Sequence, residues 1–196
     1  ASALGPDGTY NFDHLFKFIK DDVTAADIAI ANEEVILGGT ELGLSGYPMF
    51  NGPYEAGDGL VNAGFNVILH ATNHTLDKGL TGINNNINFW KTKHPNVAFL
   101  GMNESKEAQD KIYVYQKGDI KIAILNYTYG TNGIPIPQSA PYVVNLLDEE
   151  KCAADIKKAK ELADFVIVCP HWGTEYVHYA TDYQKTWAKF FLDNGV

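Results

Sequence analysis

The sequence predicts an α/β protein built as a layered sandwich, with mixed β-sheets flanked by helices. Three observations predict it. Short apolar runs rich in β-branched residues, at 27–31, 65–69, 97–100 and 165–169, alternate with stretches of helical periodicity, the pattern of successive βα units. Residues 111–128 instead alternate apolar and polar on both sides of Gly118-Asp119, a hairpin signal that adds antiparallel pairing. Three of the runs also stop abruptly in polar clusters, and the crevice beyond the carboxyl ends of strands is where open α/β sheets bind ligands.

Taken in order, Phe12, Leu15, Phe16 and Ile19 fall at helical spacing, which predicts an amphipathic helix over 11–22 packed on the sheet with its aromatics in the core. The strand 27–31 follows. Residues 35–52 are Gly-rich with no periodicity, and loops of that length tend to be functional or mobile. Tyr47 and Phe50 there either line a substrate mouth or pin the loop to the core. A helix from Pro53 ends at Gly64 and leads directly into the strand 65–69.

Leu80, Ile83, Ile87 and Trp90 mark a helix over 79–91, and His94-Pro95-Asn96 a turn with His94 in solvent. After the strand 97–100 and the hairpin, residues 129–142 carry Gly130, Gly133, Pro135, Pro137 and Pro141, so they are neither helix nor regular strand. Starting at a strand's carboxyl end, they are placed over the same crevice as the first loop, as a wall or lid. Residues 147–165 read as a helix with Asp148, Glu149 and Glu150 in its first turn, where the helix dipole favours acids, and a solvated charged face. The last helix, 181–193, has Thr181 or Asp182 as cap and turns Trp187, Phe190 and Phe191 to the core.

Composition narrows the class. A chain of 196 residues with no linker-like stretch is read as one domain. A net charge of -9 and a pI near 5.0 exclude nucleic acid and an anionic membrane surface as main partners, since both reward clustered Lys and Arg. With no apolar run near 18 residues and no leader pattern, the chain is expected to be soluble, any anchor or export signal lying outside it. Cys152 and Cys169 form no framework, and Cys169 reads as a small buried residue.

The polar clusters hold the chemistry. Residues 27–31 run into Asn32, Glu33 and Glu34; residues 65–69 into Thr72, Asn73, His74 and Asp77; residues 165–169 into His171, Trp172 and Glu175. If these strands lie in one parallel sheet, Asn32, Glu34, Asn73, His74 and His171 arrive at a single edge. Imidazole, carboxylate and amide oxygen together suit Mn, Fe or Zn. Packing is the competing account, in which Asn and His bond loop backbone and Trp172 fills a core. Asp77 has two open roles, fixing the tautomer of His74 or capping the next helix.

These residues carry a resemblance. NHTLDKG at 73–79 resembles the NNHxxDxG signature of the CapA family of bacterial capsule and poly-gamma-glutamate synthesis proteins, with Thr72 in place of the first Asn. ANEE at 31–34 stands where that family has ANxE, and HWGTEY at 171–176 matches its HWGxEY element. The resemblance implies a calcineurin-like metallophosphoesterase sandwich, truncated here at both ends, because the family also has a Gly-Asp strand ahead of these motifs and a GxHPH motif after them. It further implies Asn32, Glu34, Asn73 and His171 as metal ligands and His74 as the catalytic acid with Asp77 beside it; Trp172 and Glu175, with Tyr47 of the long loop, are expected at the substrate. A divalent metal (Mn, Fe or Zn) is expected in the complete protein and weak or absent in this chain, which is then inactive. Expected partners are an anionic polymer or phosphate ester and other capsule-synthesis proteins, with a possible homo-oligomer, at the extracellular face of the bacterial membrane. Two functions stay open: a metal-dependent hydrolase or transferase, and a non-catalytic polymer-binding or assembly component of a capsule export machine.

Overall fold

The computed structural model describes residues 3–196. Two three-stranded sheets face each other. The first joins β1 (Ile30–Asn32), β2 (Val67–Leu69) and β3 (Ala98–Leu100), all parallel. The second joins β4 (Tyr113–Lys117), β5 (Ile120–Thr128) and β6 (Phe165–His171), with β4 antiparallel and β6 parallel to β5. The two-residue side-chain period of strands explains the layering. Val67 and Leu69 turn inward to meet Ile124 between the sheets, whereas Ile68 turns outward to Leu60, Phe89 and Trp90. On the other side Ala123, Leu125 and Tyr127 turn outward to Cys152, Ile156 and Phe191.

Helices complete the outer layers. Alongside the first sheet lie α3 (Glu55–Ala63) and α4 (Gly79–Lys93); alongside the second lie α6 (Glu149–Leu162) and α7 (Asp182–Asp193). Thr181 closes a capping box with Gln184 at the start of α7, and Asp148 accepts from Lys151 N at the start of α6. The result is the expected mixed α/β sandwich, a calcineurin-like arrangement of helix, sheet, sheet and helix.

Several local expectations need correction. The helix foreseen over 11–22 is two short pieces, α1 (Asp13–Phe16) and α2 (Lys20–Ala25), with no buried residue in either. Leu15 and Ile19 are exposed, while Phe12 lies against Gly59 of α3 and Phe16 against Gly59 and Phe65. Four apolar residues are too few to cover a face when the chain bends at residues 17–19. His94 is not in solvent: its Nε2 lies 2.7 Å from Asp58 Oδ1, and its ring packs on Phe89 and Trp90. The segment 35–52 contains a core piece, Ile36 and Leu37, a 3₁₀ turn (Thr40–Leu42) and a short helix-free return at Asn51. A short helix α5 (Lys106–Gln109) precedes the hairpin.

The largest correction is topological. β1 and β2 share a sheet, but β6 belongs to the other one. The two sheets are stitched together at their carboxyl ends by Asn126 of β5, which is buried: its Oδ1 accepts Ala71 N–H at 2.8 Å and its Nδ2 donates to Cys169 O at 2.9 Å. A buried amide bonded on both sides fixes relative position, because leaving either group unpaired costs about 1–3 kcal/mol.

Candidate metal and acid–base site

The site forms where β1 and β2 of one sheet end beside β6 of the other. Leaving β2, the chain turns tightly through Thr72 and Thr75. Thr72 Oγ1 donates to Glu34 O at 3.0 Å and accepts His74 N–H at 3.2 Å, while Thr75 Oγ1 donates to His70 O at 2.7 Å. Both threonines are buried. Thr72 therefore does the stapling that ties the end of β1 to the His74 turn, a role its small hydroxyl fills at the position where the resembling family has Asn.

His74 and Asp77 meet at 2.7 Å, Nδ1 to Oδ2. A carboxylate only accepts, so the proton of this contact belongs to Nδ1, which leaves Nε2 as the ring's working nitrogen. Asp77 also accepts Phe50 N–H at 2.7 Å, and the Phe50 ring stands edge-on to His74 with centroids 4.7 Å apart. The Asp77 side chain points at His74 and not at the N-terminus of α4, whose cap is Lys78.

Next to this pair three donors gather. His171 Nε2 lies 2.8 Å from Asn73 Oδ1 and 3.6 Å from Glu34 Oε1. Burial and the neighbouring His74 lower the proton affinity of His171, with Glu34 working the other way, so the ring favours its neutral, ligating form. Tyr129 stacks on His171 at 6.3 Å, and Asn132, at φ 51°, accepts Asn73 Nδ2–H at 3.1 Å and reaches to 3.4 Å from the His74 ring. Neither Tyr129 nor Asn132 was marked by the sequence. The one signal was Asn132-Gly133, a pair suited to left-handed turn conformations.

A cleft of about 550 Å³ opens beside these donors, with Glu34, Asn73, Tyr129, His171, Trp172 and Glu175 among its walls and no Lys or Arg. The remaining expected site residues are placed differently. Asn32, the exposed last residue of β1, is not among the cleft walls. Tyr47 is 87% exposed, paired with Phe50 and outside the cleft, because the return of the chain at Asn51 carries it outward. Trp172 serves two surroundings, since its ring also packs on Phe191 at 6.1 Å.

A divalent ion suits this donor set in kind. An amide oxygen at 2.8 Å and a carboxylate oxygen at 3.6 Å from His171 Nε2 combine the oxygen and imidazole donors that borderline divalent ions prefer. The set is small: among the described residues no three His, Cys, Asp or Glu gather as a metal group.

Two facing sheets between helices, with imidazole, amide and carboxylate groups on the loops at their carboxyl ends, define a calcineurin-like layered sandwich. A crystal structure described as a novel phosphatase from Mycoplasma pneumoniae shares the fold, with a TM-score of 0.52 at 18% identity over 93% of this chain and 56% of that one. The chain belongs to the bacterial capsule synthesis protein PGA_cap family, whose profile matches residues 2–196. It is 29% identical over 137 residues to the PGA biosynthesis protein CapA of Bacillus subtilis (69% of this chain, 36% of that protein). It is 30% identical over 140 residues to the capsule biosynthesis protein CapA of Bacillus anthracis (68% and 33%). The chain thus spans about a third of the length of these curated relatives.

Proposed function

We propose that this chain carries the core of a divalent-metal-assisted hydrolase or transferase site in a protein of capsule or poly-gamma-glutamate synthesis at the bacterial cell envelope. The observation that supports it is the approach of Glu34 Oε1 and Asn73 Oδ1 to His171 Nε2, with Asn132 linking Asn73 to the ring of the buried His74–Asp77 pair. Glu34, Asn73 and His171 are the residues that would hold the metal, which would supply charge neutralisation at the reacting oxygen and an acidified water.

The chain's own groups do the rest. Asp77 holds the His74 ring with Nδ1–H engaged, so Nε2 is the atom that carries a proton to or from the leaving group. Phe50, packed against that ring, shields it from water on one side. Glu175, Trp172 and Tyr129 form the wall a substrate passes. A phosphate ester or an acyl linkage of the polymer both present the oxygen this arrangement needs. A polymer-binding role without a metal finds less support, because a polyanion then calls for cationic side chains and this cleft has acids instead.

Side-by-side measurement of bound metal and turnover, on a panel of phosphate esters and γ-glutamyl oligomers, tests the proposal. His171→Ala is expected to lower both. His74→Ala is expected to keep the metal and lower turnover about 10²–10⁴-fold. Full activity in both variants refutes the assignments. Three donors bearing one formal charge also predict weak binding, so calorimetric titration with Mn²⁺ should give a dissociation constant above the micromolar range.

A further inference from the structure

We propose that Asn51, which lies outside the cleft, is a positioning residue for His74, acting through the backbone N–H of Phe50. The argument starts from Asp77. Its side chain is fully buried and its Oδ1 has no hydrogen-bond partner among the described residues, so the group depends on Oδ2 alone. Oδ2 has two donors, His74 Nδ1–H and Phe50 N–H, each at 2.7 Å. Half of what holds this buried carboxyl group therefore comes from one backbone amide in a loop 27 residues away in sequence.

That amide has to be held in place, and Asn51 does it. Asn51 is 3% exposed and its side chain is bonded on both ends: Oδ1 accepts Gly38 N–H at 2.8 Å, and Nδ2 donates to Gly39 O at 2.9 Å and Gly43 O at 3.0 Å. Its backbone exchanges two bonds with Ser45, and the next residue, Gly52, donates to Ile36 O at 2.8 Å. Asn85 of α4 anchors the other side of Gly38 by donating to its carbonyl at 2.9 Å. One amide side chain, on the residue immediately after Phe50, thus cross-links three points of the preceding loop, Gly38, Gly39 and Gly43. The chain of contacts runs from Asn51 through the Phe50 amide and Asp77 to the nitrogen opposite the one that works.

The inference rests on the reading of His74 as the proton-transferring group, but its test reads the ring itself and needs no substrate. In the unaltered protein the ¹⁵N shifts of His74 are expected to report a single Nδ1–H tautomer. The Phe50 amide is expected to exchange at least about tenfold more slowly than those of Tyr47 and Met49 in the same loop. Asn51→Ala is expected to bring the Phe50 amide to the rate of its neighbours and to populate both tautomers of His74. Phe50→Leu, which keeps the N–H and removes the ring, is expected to retain the single tautomer. A folded Asn51→Ala that keeps one tautomer and a protected Phe50 amide overturns the proposal. So does equal exchange of Phe50, Tyr47 and Met49 in the unaltered protein, a measurement that stands even where the variant fails to fold. Loss of turnover in His74→Ala bears on the proposed function alone, so the two ideas fail separately.

Discussion

The chain beyond β2 and the chain beyond β6 meet at the candidate site and are built in opposite ways. After β2, residues 70–77 are all buried, and Thr72, Thr75, His74 and Asp77 bond one another or nearby backbone. After β6, the loop runs out into solvent, with Glu175 exposed, Tyr176 at 94% and Tyr179 at 76% exposure. The first half orients groups whose angles matter and is locked by hydrogen bonds that would be costly to break. The second half is a wall that a large substrate can reach and that can adapt to it. His171 stands at the boundary, the last residue of β6 yet bonded to Asn73 of the locked half.

The sharpest way to break this contrast is at Gly101, just beyond β3. Its φ is 93°, and a Cβ there would collide with Asn126 Oδ1 and with the amide and Cβ of Ala71. Those are the atoms that stitch the two sheets together under the locked half. Gly101→Ala is expected to cost about 3 kcal/mol or more, from overpacking plus backbone strain, read by urea unfolding. A loss under about 1 kcal/mol would show the junction to be yielding.

A pH series sharpens the comparison at intermediate size. Burial pushes Glu33 up to about 7, with the charge of Glu34 adding and a Val35 backbone bond opposing, and burial pushes His70 down to about 3. From pH 4.5 to 6.5 the two act oppositely: the folded protein keeps a proton on Glu33 that the unfolded chain releases, while the unfolded chain takes one on His70 that the folded protein refuses. Their joint contribution to stability is therefore nearly flat there. Below about 4.5 only His70 acts, and stability falls as the pH drops towards 3. Glu33→Gln removes the opposing member, so relative to the unaltered protein it gains stability between pH 4.5 and about 7, on the order of 1–3 kcal/mol. A difference independent of pH would show that Glu33 is not held protonated by its surroundings.

The smallest effect is expected on the open side. Tyr176 sits at φ 61°, a conformation that costs a side chain, and almost all of it is in water. Tyr176→Ala should shift stability by no more than about 0.5 kcal/mol, and a larger loss would mean that this loop is anchored more firmly than its exposure indicates.

Much was legible before any coordinates. Strands and helices followed from period-2 and period-3.6 patterns, the hairpin from Gly118-Asp119, and the motifs at 31–34, 73–79 and 171–176 marked Glu34, Asn73, His74 and His171, which the fold then brings together. Residue type and local spacing carry that information, because it concerns groups a few positions apart. What tertiary structure alone decided concerns partners far apart in sequence. That β6 pairs with β5 and not with β1 depends on which apolar faces stack, Val67 and Leu69 on Ile124, and strand patterns do not record their neighbours. That Asp77 serves His74 and not the start of α4 depends on the direction of one side chain and on the arrival of the Phe50 amide. Asn32 and Tyr47 have suitable chemistry, but one ends a strand outside the cleft and the other rides a turn into solvent. A backbone donor has no signature in the residue that bears it, so Phe50 N–H and the Asn51 cross-links behind it could be found only where the chain folds back on itself.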